Sequence, residues 1–224
     1  MADVIIFGTG RGANVAYRYI SGDTAHNICA FTVDEAYITH NEFMGLPVVD
    51  FNSICLKYPP DRYKMFIPLG FERMNMLRSE KYFAAKAMGY EFISYVSSTI
   101  KMIDKIEIGE NCFILDNTTI NFDVKIGNNV TIWSGCQLGD NTIIEDHNWL
   151  SSHVCLSGGV VINSFCFFGN NSTVSHNINI SERSFIGAAT YINKDTVPGG
   201  VYAVSGATKH PFDSERFIQM IKGT

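Results

Sequence analysis

No apolar run in this chain is long enough to cross a bilayer, which needs about 20 residues. The N-terminal stretch Met-Ala-Asp-Val-Ile-Ile-Phe-Gly has neither a basic region nor a cleavage site, so it does not read as a secretion signal. Basic residues are few. Lys and Arg number 17 against 22 Asp and Glu, a net charge of −5. This balance argues against nonspecific nucleic-acid binding, which requires a basic surface. An anionic ligand must then be held locally, by backbone amides, a helix N-terminus or single Arg and Lys side chains. The six cysteines contain no Cys-x-x-Cys pair. A reduced, cytoplasmic chain fits that pattern better than a disulfide scaffold. What remains, 46% apolar and 17% charged residues, is ordinary for a soluble globular protein.

The first half alternates strand-like and helix-like segments. Val4 to Phe7 reads as a strand ending at Gly8, and a glycine-rich turn leads into a helix from about Ala13 to Ile20. Strands are expected at Ile28 to Val33, ending at Asp34, and at Met65 to Leu69, ending at Gly70. Arg73 to Met88 has helical character, and Phe92 to Val96 reads as a further strand. Such alternation implies an α/β domain of Rossmann type over residues 1–100.

The second half is organised differently. From Ile108 through Ile114, Ile120 and so on to Ile186 and Ile192, an aliphatic residue or Phe recurs every six positions, fifteen times without a gap. Glycine follows several of these anchors, as at Gly109, Gly127, Gly139, Gly169 and Gly187. This is the hexapeptide signature of a parallel β-helix, expected over residues 101–200. Three hexads close one triangular coil, so the prism should be roughly 24 Å tall at about 4.8 Å per layer. The slot four residues after each anchor also points into the narrow core. Its occupants are small or β-branched, and Cys112, Cys136 and Cys166 are read as packing residues. Asn148 breaks this rule and requires an internal hydrogen-bond partner. Pro198-Gly199-Gly200 ends the repeat, and residues 201–224 read as a loop and a short helix from Pro211 to Ile221 that caps the last coil.

Candidate chemistry lies in both halves. Gly8-x-Gly10-x-Gly12 follows a strand and opens a helix, where glycine lets a phosphate approach the backbone and the helix supplies N–H donors. A tight strand–helix turn is the plainer alternative. Asp34 stands where an acid would meet a ribose or base, and Gly70 closes the next strand at the same sheet edge. Arg11 and Arg78 are either phosphate contacts or solvated surface charges. His147, His153 and His176 fall on neither anchor nor inward slot, so all three should point outward. Histidine suits a general base because its pKa lies near neutrality. Asp140 and His176 share one face, two layers apart, while His147 and His153 occupy the other two. One subunit cannot bring Asp140, His147 and His153 together, but packed prisms can.

The pairing of this repeat with such an N-terminal half resembles the left-handed β-helix sugar O- and N-acyltransferases of the sialic-acid O-acetyltransferase type. That group includes enzymes acetylating UDP-, GDP- or dTDP-linked 4-amino sugars. The carriers are Phe7-Gly8-Thr9-Gly10-Arg11-Gly12, Leu69-Gly70 with Arg78 and Gly89-Tyr90, and Ser94-Tyr95-Val96-Ser97-Ser98. In the repeat they are Trp133-Ser134-Gly135 and Ser151-Ser152-His153-Val154 leading to Ser157-Gly158-Gly159. The resemblance implies transfer of an acyl group, most commonly acetyl, from coenzyme A to the amino group or a hydroxyl of a nucleotide-linked sugar, in surface polysaccharide (lipopolysaccharide or O-antigen) biosynthesis. No permanently bound cofactor and no metal are implied. Gly8, Thr9, Gly10, Arg11, Gly12, Asp34, Gly70 and Arg78 are implicated in nucleotide-sugar binding, and Gly158, Asn170, Ala188 and Lys209 in coenzyme A binding. The active site would lie between subunits of a homotrimer, whose packing would also cover outward Trp133, Trp149 and Phe167. Relatives carry the catalytic histidine directly after the glycine of the Leu138 hexad, where this chain has Asp140 followed by Asn141. His147 is therefore the first candidate base and His153 the second, with Asp140 as orienting carboxylate or as the base itself. Two rival readings are a catalytically silent nucleotide-sugar-binding module and a zinc enzyme of carbonic-anhydrase type, whose histidine spacing this chain does not reproduce.

Overall fold

A computed structural model describes residues 1–102 and 106–222. The N-terminal half is a five-stranded sheet with order β3-β4-β2-β1-β5. Its strands are β1 (Asp3–Phe7), β2 (Asn27–Val33), β3 (Glu42–Phe43), β4 (Leu46–Asp50) and β5 (Tyr63–Phe66). Strands β4, β2, β1 and β5 are parallel, and β3 alone is antiparallel. Helix α1 (Arg11–Asp23) follows β1, the one-turn α2 (Ile54–Lys57) follows β4, and α3 (Met76–Ala87) follows β5. The β3–β4 hairpin, turned by Met44 and Gly45 at positive φ, was not expected from the sequence.

Two expected strands differ, and in both cases the solenoid intervenes. β5 stops at Phe66 because Ile67 leaves the sheet. The Asn111 side chain accepts its N–H (2.8 Å) and donates to its carbonyl (3.3 Å). In the expected Phe92–Val96 strand, Phe92 makes only a single bridge to Met65, while β6 (Tyr95–Val96) pairs with Phe113–Ile114 of the repeat. Helix α3 starts at Met76, not Arg73, because Arg73, Met74 and Asn75 have φ of 52°, 55° and 66°.

The repeat half forms a three-faced parallel solenoid, consistent with the left-handed sense that the resemblance implies. Fifteen two-residue strands, β8 (Glu107–Ile108) to β22 (Tyr191–Ile192), each end on an expected anchor. β6 and β7 (Lys101–Met102) extend the stack below, and β23 (Val201–Tyr202) extends it above, giving faces of seven, six and five strands. Each anchor from Ile114 to Ile192 is buried, and so are Cys112, Cys136 and Cys166. Asn148 is satisfied as required: its amide donates to the Glu145 carbonyl (2.8 Å), and its Oδ1 accepts the Cys166 N–H (2.6 Å).

The corners carry a signal the sequence reading missed. The third residue after each anchor turns the chain with positive φ, from Asn111 and Asn117 to Arg183 and Ala189. Asn and His tolerate that conformation better than most residues. This accounts for Asn at six of these positions and for His147 (φ 62°) and His153 (φ 61°).

The seven-stranded face packs against the N-terminal half. Phe113 meets Phe66 (5.4 Å between ring centroids) and Tyr19 (6.2 Å), and Phe71 meets Trp149 (5.4 Å) and Phe167 (4.4 Å). Phe167 is buried and the two Trp are half-buried within this chain, so these rings are not the exposed surface expected of them. The tail also differs from expectation. Helix α4 (Ser214–Lys222) buries no residue and leaves Phe217, Ile218, Met220 and Ile221 exposed, so it does not cap its own solenoid. Tyr202 packs on the core there instead, and Thr196 binds Ser181 and Ser184.

Candidate functional site

A cleft of about 580 Å³ opens where the two halves meet. One wall is Phe7, Gly8 and Gly10 to Ala13, the turn between β1 and α1, together with Pro68 to Glu72 after β5. The opposite wall comes from the solenoid: Phe113, Thr131, Trp133, Trp149, Ser151, Ser152 and Asn170. The turn owes its shape to glycine. Gly8 has φ +112°, and a Cβ on Gly12 would collide with the Pro68 carbonyl oxygen. Gly10, in contrast, has open space around it. It caps α1 without a side-chain hydrogen bond, and no acidic residue follows in the first turn. Free N–H groups and Arg11 therefore meet at one end of the cleft, an arrangement suited to an anion.

This contrast between glycines is testable. If this turn holds a nucleotide's phosphate, as the resemblance implies, Gly10→Val is expected to leave folding intact and weaken nucleotide binding while coenzyme A binding survives. Gly12→Ala is expected to destabilise the chain, because backbone must move. Calorimetry for both ligands, with thermal melts, distinguishes them. Equal loss of both ligands in Gly10→Val would refute the assignment.

The remaining expected nucleotide contacts divide. Gly70 lines the cleft, and Thr9 lines a neighbouring hollow of about 160 Å³ beside Tyr37, His40 and Phe43. Asp34 lies in neither wall. It pairs with Lys81 at 2.6 Å, and that ammonium lies over the rings of Phe7 and Phe51. Arg78 is neither a surface charge nor open to a phosphate, since it is 1% exposed and spends its donors on protein oxygens. Of the expected coenzyme contacts, Asn170 lines the cleft, Gly158 and Ala188 lie on solenoid corners, and Lys209 is exposed in the tail.

The three candidate bases have different surroundings. His147 does not point outward. It is 4% exposed, packed between Tyr82 and Phe83 of α3 and Phe165 of the next coil. Its direction follows from α3, which covers that corner and which hexad position alone does not reveal. Nδ1 lies 2.8 Å from the Asn129 amide nitrogen and Nε2 lies 3.5 Å from Ser79 Oγ. Burial pulls its pKa down to about 4. His153 is exposed, and its imidazole occupies the space a Cβ on Gly135 would need. Asp140 is half-buried, accepts a bond from Asn141 (3.0 Å) and sits beneath Gly158, where a Cβ would come within 2.7 Å of its carboxylate. His176, on the same corner as Asp140, is exposed. Within one chain Asp140, His147 and His153 do not meet. Among the described residues no cluster of three His, Cys, Asp or Glu side chains could hold a metal ion.

The bacterial transferase hexapeptide family (six repeats) matches residues 105–140. No curated protein matches the chain. Among solved structures, WeeI from Acinetobacter baumannii AYE superposes with a TM-score of 0.77 at 15% identity, over 90% of this chain and 96% of that one. PerB from Caulobacter crescentus, solved with CoA and GDP-perosamine, gives 0.62 at 19% identity over 91% and 93%. The acetyltransferase domain of PglB from Neisseria gonorrhoeae FA1090 gives 0.60 at 13% over 90% and 96%. The shared fold spans both halves of the chain, and the repeat match falls within the solenoid.

Proposed function

We propose that this chain is an acetyl-CoA-dependent acyltransferase acting on a nucleotide-linked amino sugar. The observation that carries the reading is the cleft, in which a glycine-rich turn with free N–H donors faces the solenoid. The fold shared with PerB, whose structure contains CoA and GDP-perosamine, supports it. In this reading residues 1–100 form a Rossmann-like unit whose turn holds the diphosphate, residues 101–200 form the left-handed β-helix that holds coenzyme A, and residues 201–224 form the closing segment. The sugar amine attacks the thioester carbonyl, a C–N bond forms, and the C–S bond breaks. The amine's proton leaves through a base, and the products are the amide and free coenzyme A thiol. Asp140 is our candidate base, because it occupies the relatives' histidine position and its carboxylate lies beside Gly158, an expected coenzyme contact. His153 is the second candidate.

Release of free thiol from acetyl-CoA, measured against a panel of UDP-, GDP- and dTDP-linked 4-amino sugars, tests the activity. Turnover with at least one acceptor is expected. Nucleotide-sugar binding without any thiol release would instead support a catalytically silent module, the reading favoured by Asp140 standing in place of histidine. A place in surface polysaccharide synthesis and a cytoplasmic location belong to the same proposal, and no described helix is long and apolar enough to cross a membrane.

The working form is proposed to be a homotrimer with the active site between subunits. The uncovered apolar side of α4, with Phe217 and Ile221, supports association. Sedimentation at micromolar concentration is expected to give three times the monomer mass of 24.9 kDa. A stable monomer would count against both the trimer and the interfacial site.

A further inference from the structure

Arg78 lies in the first turn of α3, directly behind the cleft wall, and is 1% exposed. Its Nε donates to Asn129 Oδ1 (3.2 Å). Nη1 donates to the carbonyls of Leu69 (3.3 Å) and Gly70 (2.8 Å). Nη2 donates to the carbonyls of Asn129 (3.2 Å) and Asn148 (3.2 Å). All five acceptors are neutral. Among the described residues no carboxylate forms an ion pair with it. A buried charge is ordinarily paired, yet Glu72, the carboxylate of the cleft wall whose charge acts on this guanidinium, forms no ion pair with it, so the cation has no bonded counter-charge.

Its contacts indicate where that counter-charge belongs. Leu69 and Gly70 line the cleft, and so does Trp149, whose ring lies 5.6 Å from the guanidinium carbon. Asn129 and Asn148 belong to the solenoid. The guanidinium therefore links the Pro68–Glu72 wall to the opposite half and draws two wall carbonyls, which would repel an anion, toward itself. Burial lowers its pKa to about 9, which leaves it charged at neutral pH.

We propose that Arg78 is a positioning residue for a diphosphate in the cleft: its fork fixes the Leu69–Gly70 wall, and its charge, without an ion-pair partner, favours an anion on the far side of that wall. The proposal rests on the nucleotide-sugar reading of the same cleft. A role confined to holding the two halves together would use the hydrogen bonds but would not distinguish charged from uncharged ligands.

The test compares full-length wild type, Arg78→Lys and Arg78→Gln. Calorimetry measures binding of UDP and GDP, of uridine and guanosine, of pyrophosphate and of coenzyme A, with circular dichroism and melting as controls for folding. Arg78→Lys keeps the charge but loses the planar fork. Arg78→Gln removes the charge. Wild type is expected to prefer a nucleoside diphosphate over its nucleoside. The preference should fall by about tenfold or more in Arg78→Gln and by a smaller factor in Arg78→Lys, with coenzyme A affinity unchanged. If Arg78→Gln does not fold, Arg78→Lys decides. A folded variant that keeps the wild-type preference, or that loses nucleoside and diphosphate equally, overturns the proposal. Wild type that binds no nucleoside diphosphate and no pyrophosphate overturns both this proposal and the nucleotide-sugar reading beneath it.

Discussion

Asp140→Asn is expected to slow acetyl transfer by about 10²–10⁴-fold, the usual range for loss of a general base. Substrate binding should change little, because asparagine preserves size and polarity. Asp140 stands directly after Gly139, its carboxylate bound by Asn141 and adjacent to Gly158. A side chain at Gly158 would collide with that carboxylate, so glycine there leaves Asp140 its place. The neighbouring hexads cannot supply a substitute from the same subunit, since His147 is enclosed and His153 lies on a different corner. Single-turnover rates for Asp140→Asn and His153→Asn should be compared. Loss in His153→Asn alone would assign the base to the exposed histidine, delivered across a subunit interface. Full activity in both variants and in His147→Asn would exclude all three candidate bases. Transfer would then proceed by direct attack of an already neutral amine, with the protein aligning the reactants.

His147→Asn is expected to lower stability by roughly 2–4 kcal/mol and leave the chemical step intact. Asparagine tolerates the left-handed backbone at this corner, so the substitution probes the side chain alone. The imidazole packs at 4.8 Å from the Phe165 ring and 5.4 Å from the Phe83 ring. Its protonation is constrained through a chain of partners. Asn129 Oδ1 accepts from Arg78 and from Asn111, which leaves the Asn129 amide to donate to His147 Nδ1. That nitrogen must carry a lone pair, so the ring must be neutral.

The pH dependence follows with a definite sign. The folded pKa, about 4, lies below the unfolded value of about 6.5. Between these values the unfolded chain binds a proton that the folded chain refuses. The stabilisation is complete above pH 6.5 and is lost as pH falls toward 4, at up to about 1.4 kcal/mol per pH unit and roughly 3 kcal/mol in all. Urea melts from pH 7.5 to 4 should show this loss in wild type and not in His147→Asn. If His147→Asn abolished transfer at saturating substrates while melting like wild type, the base assignment would return to His147.

The hexapeptide period, the anchor series and the inward slot were legible along the chain because each coil repeats the same local geometry. Hydrophobic spacing alone therefore places Ile114 or Cys136 in the core. Gly8 to Gly12 could be read for a similar reason: a strand, a turn and a helix adjacent in sequence form one local unit. Asn148 could be recognised as a buried polar residue from its slot. Hexad position, however, says only that a side chain leaves its own prism. It does not say what waits outside. His147 and His153 occupy equivalent corners with nearly the same φ, yet α3 encloses the first and leaves the second in solvent. Arg78 looks like any helical arginine until the packing of two halves, far apart in sequence, removes it from water and surrounds it with carbonyls. The end of β5 was likewise decided by Asn111, 44 residues beyond its partner Ile67. Local periodicity determined the solenoid and its core. Which polar groups were buried, and which walls closed the cleft, was decided only when the seven-stranded face met α1 and α3, because burial depends on contacts that no repeat encodes.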